Sequence, residues 1–232
     1  MFQDRTVLCF ILARGGSKGV PRKNTLKIAG IPLIAHSIMQ SKKVKYIDKT
    51  FVSTEDADIK KISVEYGADV IDRPPELATD TSMYLDAVKH MIKAIKKDKN
   101  ENHIVVILET TSPIRKIEDI EKCIEMYDGT VDQVISIFEV KVHPYRMLQK
   151  RNGYLEFYLN KPPVSNRQQA ETLYALNGSI TVTDFRFLES QKDVIYGGKM
   201  KGFLQDELSS LDIDSKLDFE ICKFVIESGY KC

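Results

Sequence analysis

The sequence predicts an α/β protein built on a mostly parallel sheet flanked by helices. Two continuous apolar runs, VLCFIL (7–12) and HIVVIL (103–108), have the length and composition of strands buried on both faces. Between and after them, short strand-like runs alternate with segments whose apolar residues recur at helical spacing, the pattern of βαβ units. Both apolar runs end in polar loops, ARGGSKG and ETTSPIR, where parallel sheets place their ligands.

The elements follow in order. After the first loop, PLIAHSIMQSKKV carries Leu33, Ile34, Ser37, Ile38 and Ser41 on one face, with Pro32 suited to a first helical turn. KTFVST is a strand, DADIKKISVEYG a helix closed by Gly67, and ADVID a strand. DTSMYLDAVKHMIKAIKK is a longer helix whose stripe runs through Met83, Ala87, Met91 and Ala94, widened by Tyr84, Val88 and Ile95. IEDIEKCIEMY reads as a helix and DQVISIF as a strand. From about Glu139 to residue 185 the alternation stops. Aromatic, basic and turn residues there predict a β-rich insertion or flap, punctuated at RNG and LNG. SSLDIDSKLDFEICKFVIES then gives a short extended piece and a helix packed through Leu217, Ile221, Phe224 and Val225. The whole chain, 1–232, is read as one domain carrying this flap.

Composition narrows the function classes. With 34 basic and 33 acidic residues the formal charge is +1, which argues against a bulk nucleic-acid binder. The longest apolar runs are too short to span a membrane, and the N-terminal stretch lacks the pattern of a signal peptide. Cys9, Cys123, Cys222 and Cys232 are widely spaced with no CxxC pair, the usage expected of free thiols in a cytoplasmic protein.

ILARGGSKGVPRKN (11–24) holds two arginines, two lysines and three glycines and no carboxylate. Behind a buried strand, such a loop is a solvated basic turn or a cradle for a polyanion. Gly15, Gly16 and Gly19 permit close approach of a phosphate, and Arg14, Lys18, Arg22 and Lys23 supply charge. The loop matches neither the P-loop ending nor GxGxxG. In LDID, Asp212 and Asp214 at strand spacing face one way and suit a Mg2+ ion, against the alternative of an acidic turn capping the last helix. DRPPELATD offers Arg73 and Asp80; LETTSPIR places Glu109, Thr111, Ser112 and Arg115 at a site mouth. The flap contributes His143, Arg146, Arg167 and Gln168.

Taken in order, ARGGSKGVPRKN, VSTEDADI, RPPELATDTS, ETTSPIR, RQQ, LNGSI and LDIDSKLDFE resemble the CMP-sialic acid synthetases, or acylneuraminate cytidylyltransferases. The resemblance runs from about residue 7 to the last helix. It implies a Rossmann-like sheet with a small dimerisation flap, and transfer of CMP from CTP to the anomeric hydroxyl of a nonulosonic sugar acid with release of pyrophosphate, using Mg2+. It implies that Arg14, Gly15, Ser17, Lys18, Lys23 and Asn24 hold the CTP, with Arg73 and Asp80 lining the nucleotide pocket. Catalysis would rest on Arg14, Lys23 and Asp212, and Asp212 and Asp214 would hold the metal. Glu109, Thr111, Ser112, Arg167, Gln168, Asn177 and Gly178 would face the sugar acid, with Arg146 supplied across a homodimer.

The departures fall on the sugar side. The family commonly has glutamine and proline where this chain has Glu109 and Thr110, often lysine at Arg146, and an aromatic at Thr181. A carboxylate accepts hydrogen bonds but does not donate them. A sialic acid relative such as legionaminic acid is therefore an expected acceptor. The competing readings are a nucleotidyltransferase for the eight-carbon acid Kdo or a sugar phosphate, and a non-catalytic binding relative.

Overall fold

The computed structural model of the protein describes residues 2–98, 101–159 and 171–230. Its strands are β1 (Val7–Leu12), β2 (Lys27–Ile28), β3 (Ile31–Pro32), β4 (Lys49–Thr54), β5 (Asp69–Asp72), β6 (Ile104–Leu108), β7 (Gln133–Glu139), β8 (Leu148–Arg151), β9 (Tyr154–Phe157), β10 (Tyr174–Asp184) and β11 (Met200–Leu204). Seven of them form the main sheet in the order β11-β7-β10-β6-β1-β4-β5. β10 runs antiparallel to both its neighbours; the other pairings are parallel. The expected mostly parallel sheet is present.

Successive side chains of β1 point to opposite faces and both faces are covered. Val7, Cys9 and Ile11 enter a core with Ile34 and Ile38 of α1 (Leu33–Lys43), Ile59 of α2 (Ala57–Glu65), and Ile120 and Cys123 of α4 (Ile117–Met126). Leu8, Phe10 and Leu12 pack with Leu85, Val88 and Met91 of α3 (Tyr84–Ile95), and with Phe185 and Leu188 of α5 (Phe185–Ser190). A third cluster seats α6 (Lys216–Ser228) through Phe219 and Cys222 against Val20, Ile28, Leu33 and Ile213. Cys9, Cys123 and Cys222 are buried free thiols, as expected, and burial pushes Cys9 and Cys222 up to about 12. Cys232 lies outside the described residues. Among the described residues no helix is long and apolar enough to cross a membrane.

Three local expectations differ from the structure. All five predicted inward residues of α1 are buried, but Pro32 precedes the helix as its N-cap. α6 packs through Phe219, Cys222 and Val225, whereas the expected Leu217, Ile221 and Phe224 face outward, Leu217 at 69% and Phe224 at 64% exposure. That helix carries apolar residues on two faces, so periodicity alone does not choose between them. Finally, LNG is not a hairpin turn. Tyr174–Asp184 is one strand inside the main sheet, and its register shifts between Leu176 and Thr181 around Gly178, whose φ is +69°. A positive φ at glycine costs little and makes a bulge here instead of a reversal. RNG does turn a hairpin, with Asn152 and Gly153 both at positive φ between β8 and β9.

Candidate active site

β1, β4, β5 and β6 end level with one another, and the residues that follow them form one rim. Leu12 pairs with Ser53, and Thr54 with Asp72, so Arg14, Glu55 and Arg73 leave neighbouring strands at similar height; Glu109 follows β6 beside them. Hydrogen bonds from Ala13 N to Ser53 O and from Arg73 N to Thr54 O, each 3.0 Å, extend the pairing into the rim.

The basic loop is neutralised although it holds no carboxylate of its own. Carboxylates distant in sequence supply the partners. Asp80 lies 3.0 Å from the Arg14 guanidinium and 2.9 Å from Lys18 Nζ, and these cations hold its carboxyl below the usual carboxylate range. Arg22 binds Asp56 at 3.0 Å and Asp58 at 2.6 Å. Gly15 N–H donates to Glu55 Oε1 at 2.7 Å, while Glu55 Oε2 is buried with no partner among the described residues. Ser17 lies half-buried on the same loop. The loop's cations and one of its N–H groups are thus occupied by the protein's own carboxylates.

Lys23 and Asn24 tie the loop to the rest of the rim. Asn24 Nδ2 donates to Arg14 O at 3.0 Å, and its Oδ1 accepts from Thr110 at 2.7 Å, so the buried Asn24 side chain is spent on protein contacts. Lys23 Nζ donates to Ile213 O at 2.7 Å and lies 4.0 Å from Asp214 Oδ1. Ile213 N in turn donates to Thr111 O at 3.0 Å. With Ile213 buried, Asp212 and Asp214 are both exposed on the opposite side, the arrangement expected from their spacing. Gly19 has to be glycine here, because a Cβ would run into the Asp214 carbonyl. Partial burial raises the Asp212 pKa, the charges of Asp214 and Asp218 add to this, and a hydrogen bond from Thr111 opposes it. A carboxylate pair held near one lysine suits a divalent cation shared with phosphate oxygens. Among the described residues no cluster of three or more metal-type side chains occurs.

Arg73 is 7% exposed, its guanidinium fixed by Ser53 at 3.0 and 2.8 Å. Its charge is felt by Glu55, Tyr84, Arg14 and Glu109, which places it at the centre of the rim. Glu109 accepts a hydrogen bond from Tyr84 Oη. Burial raises the Glu109 pKa, while that hydrogen bond and the Arg115 charge hold it back. Gly178 approaches from β10, where a Cβ would sit in ordinary contact with Glu109 Cγ at 3.8 Å. Tyr196 completes this corner, coupled to Glu109 and to Thr181.

Several expected roles shift. Asn177 does not present its amide to a ligand: it accepts from Ser136 at 2.6 Å and donates to Gln205 at 2.8 Å and Ser210 at 3.2 Å, fixing the bulge. Ser112 is 1% exposed with an unpartnered hydroxyl, beneath the surface of the rim. Arg115 is not at the mouth but 3% exposed below it. Arg146 is exposed on the turn before β8 and is not brought to the other site residues. Arg167 and Gln168 lie outside the described residues. Sequence reasoning missed Glu55, Tyr84 as a site residue, and Tyr196. Glu55 was signalled by following a strand of the same set, but neither tyrosine has a local signature.

The chain is similar in sequence and in fold to proteins that are known. The chain is 32% identical over 225 residues to the post-translational flagellin modification protein B of Campylobacter coli, covering 95% of each chain. It is 31% identical over 233 residues to the CMP-N,N'-diacetyllegionaminic acid synthase of Legionella pneumophila, covering 95% of this chain and 96% of that one. To the N-acylneuraminate cytidylyltransferase of Streptococcus agalactiae it is 34% identical over 217 residues, 91% of this chain but 51% of that longer protein. In fold it matches a CMP:2-keto-3-deoxy-manno-octonic acid synthetase solved with CTP, with a TM-score of 0.73 at 15% identity, covering 97% of this chain and 100% of the other. The profile of the family described as Cytidylyltransferase matches residues 8–200, and the chain belongs to that family of nucleotidyltransferases.

Proposed function

We propose that the protein transfers CMP from CTP to the anomeric hydroxyl of a nonulosonic sugar acid, releasing pyrophosphate. The observation that carries this reading is the convergence of the Arg14–Lys18 loop with Lys23, Asp212 and Asp214 at the carboxyl ends of β1 and β6. Phosphoryl transfer asks for positioning and charge neutralisation, and this rim offers both. The similar proteins include acylneuraminate and diacetyllegionaminate enzymes, which supports a nonulosonic acid as acceptor.

In this reading the triphosphate replaces Asp80 on Arg14 and Lys18 and takes the Gly15 N–H from Glu55. Arg73 faces the base. Asp212 and Asp214 would hold a Mg2+ ion, which when bound neutralises charge on the departing pyrophosphate. Glu109, Gly178 and the two tyrosines form the acceptor corner, and a legionaminic-type acid is the favoured substrate because a carboxylate stands where the family commonly has an amide. A matrix of four nucleoside triphosphates against N-acetylneuraminate, N,N'-diacetyllegionaminate and Kdo, read by pyrophosphate release, tests the reading. Turnover with CTP and a nine-carbon acid is expected. Absence of release with every acid removes it, and exclusive use of N-acetylneuraminate removes the legionaminate preference.

The flap supports a homodimer. Tyr154 and Leu155 of β9 are 76% and 66% exposed, and Leu148, Phe157, Tyr158 and Leu159 are also exposed apolar residues on this hairpin. A two-stranded hairpin has little stability by itself and so many bare apolar groups call for a covering surface. A second copy of the chain is that surface, and its Arg146 would reach the neighbour's acceptor corner. Tyr154→Glu with Leu155→Glu is expected to convert a dimer to a monomer in light scattering. An unchanged dimer would place the interface elsewhere.

A further inference from the structure

Resting on that reading, the acceptor corner depends on a distortion of β10 that has to be held in place. Ile180 pairs with Leu108, so the residues just before it lie alongside the end of β6, where Glu109 leaves the sheet. There the ladder to β7 slips between Leu176 and Thr181, and Gly178 takes a φ of +69°. The slip brings Gly178 to the Glu109 side chain, with a Cβ at 178 falling 3.8 Å from Glu109 Cγ. A bulge interrupts ladder hydrogen bonds, and buried polar groups around it need other partners.

Those partners form one continuous chain of side chains. Asp119, in the first turn of α4, accepts from Gln205 Nε2 at 3.1 Å. Gln205 Oε1 accepts from Asn177 Nδ2 at 2.8 Å. Asn177 Oδ1 lies 2.6 Å from Ser136 Oγ of β7 and accepts from the Ser179 N–H at 3.2 Å, which closes a short loop around Gly178. Ser136 Oγ accepts in turn from the Ile180 N–H at 2.8 Å. None of these four side chains is more than 8% exposed. Each amide has a single orientation, because exchanging its O and N would set donor against donor or acceptor against acceptor.

We infer that Gln205 is a positioning residue for the sugar acid, holding the Gly178 bulge against the acceptor corner through Asn177 and anchored on Asp119. Its main-chain N–H donates to Ile137 O at 2.9 Å, so the backbone is fixed at the end of the ladder and the amide is free to serve Asn177. Gln205 follows the edge strand β11, and β7, β10 and β6 separate that strand from β1, whose loop carries the phosphate cradle. A change at Gln205 therefore reaches the acceptor side of the site before the nucleotide side. An apolar side chain of the same size would fill the space without the desolvation a buried amide brings. What the amide adds is direction: a fully satisfied buried network selects one geometry where apolar contacts allow several.

The test compares the KM for CTP with the KM for the acid that the substrate matrix selects, in the full chain with Mg2+. Gln205→Met keeps the length of the side chain and removes both hydrogen bonds. Its KM for the acid should rise about tenfold, while that for CTP stays within about threefold. Gln205→Glu sets a second carboxylate against Asp119 and should show the same rise at about pH 8.5, where both are ionised. Adding Asp119→Asn returns a donor to that contact, so the double variant should recover the acid KM to within about threefold of wild type. Lost stability alone lowers the active fraction, and with it kcat, but leaves both KM values where they were. An unchanged KM for the acid therefore overturns the assignment, as do equal rises in the two KM values or a double variant that does not recover. An active wild type with such variants leaves the transferase reading intact; a wild type that releases no pyrophosphate with any acid removes that reading and this inference together.

Discussion

Asp212→Asn and Lys23→Ala are each expected to lower the rate of pyrophosphate release by about 10²–10³-fold or more, the cost of removing a preorganised charge from a site of developing charge. The two changes act on one another's neighbourhood. Lys23 donates to the carbonyl of Ile213, the residue between the two aspartates, and lies 4.0 Å from Asp214. The asparagine keeps an acceptor for the Thr111 hydroxyl while losing the charge. Because Asp212 and Asp214 are exposed and Lys23 holds one main-chain carbonyl, neither change should cost more than about 1 kcal/mol of stability. Initial rates together with urea unfolding of each variant separate the two quantities. Wild-type rates in both variants would remove the site assignment, and a loss of rate tracking a loss of fold would remove its interpretation.

The fold was largely legible because periodicity is a local signal. α1 buries every residue expected of it, and the two apolar runs are adjacent central strands. The cationic loop and LDID were legible for a similar reason: several residues of one chemical type fall close together in the chain. Contacts across long separations were not. Asp80 joins Arg14 from 66 residues away, and a sequence pass that counts acids inside the loop misses it. Tyr84 was read as part of the core stripe of α3, yet it sits at the first turn, where the helix meets the rim, and its hydroxyl points to Glu109. Asn177 has the composition of a ligand-facing polar group, but the bulge at Gly178 turns its amide into the sheet. In each case burial and partner choice were decided by strand order, which no local pattern encodes.

Arg115→Ala is expected to destabilise the protein by about 3–5 kcal/mol, more than any substitution in the rim itself. The guanidinium is enclosed, and burial pulls its pKa down to about 10. It donates to Gln40 Oε1 at 2.9 Å, to Ser37 Oγ and Glu109 O at 2.6 Å each, and to Ser179 O. One planar fork thereby joins α1, the end of β6 and the bulge of β10. Truncation takes a donor from each of these groups in a closed space, with Glu109 O keeping only Ser37 Oγ at 3.2 Å, and an unsatisfied buried acceptor costs about 1–3 kcal/mol. Lysine carries the charge but not the fork, so Arg115→Lys should recover only part of the loss. Urea midpoints of the three proteins check this order. The same substitution tests how the acceptor corner is positioned. Arg115 holds the main chain of both Glu109 and Ser179, so the lysine variant, assayed where it is folded, should raise the KM for the sugar acid more than that for CTP. Equal shifts in the two KM values would mean that Arg115 supports the fold without ordering the corner.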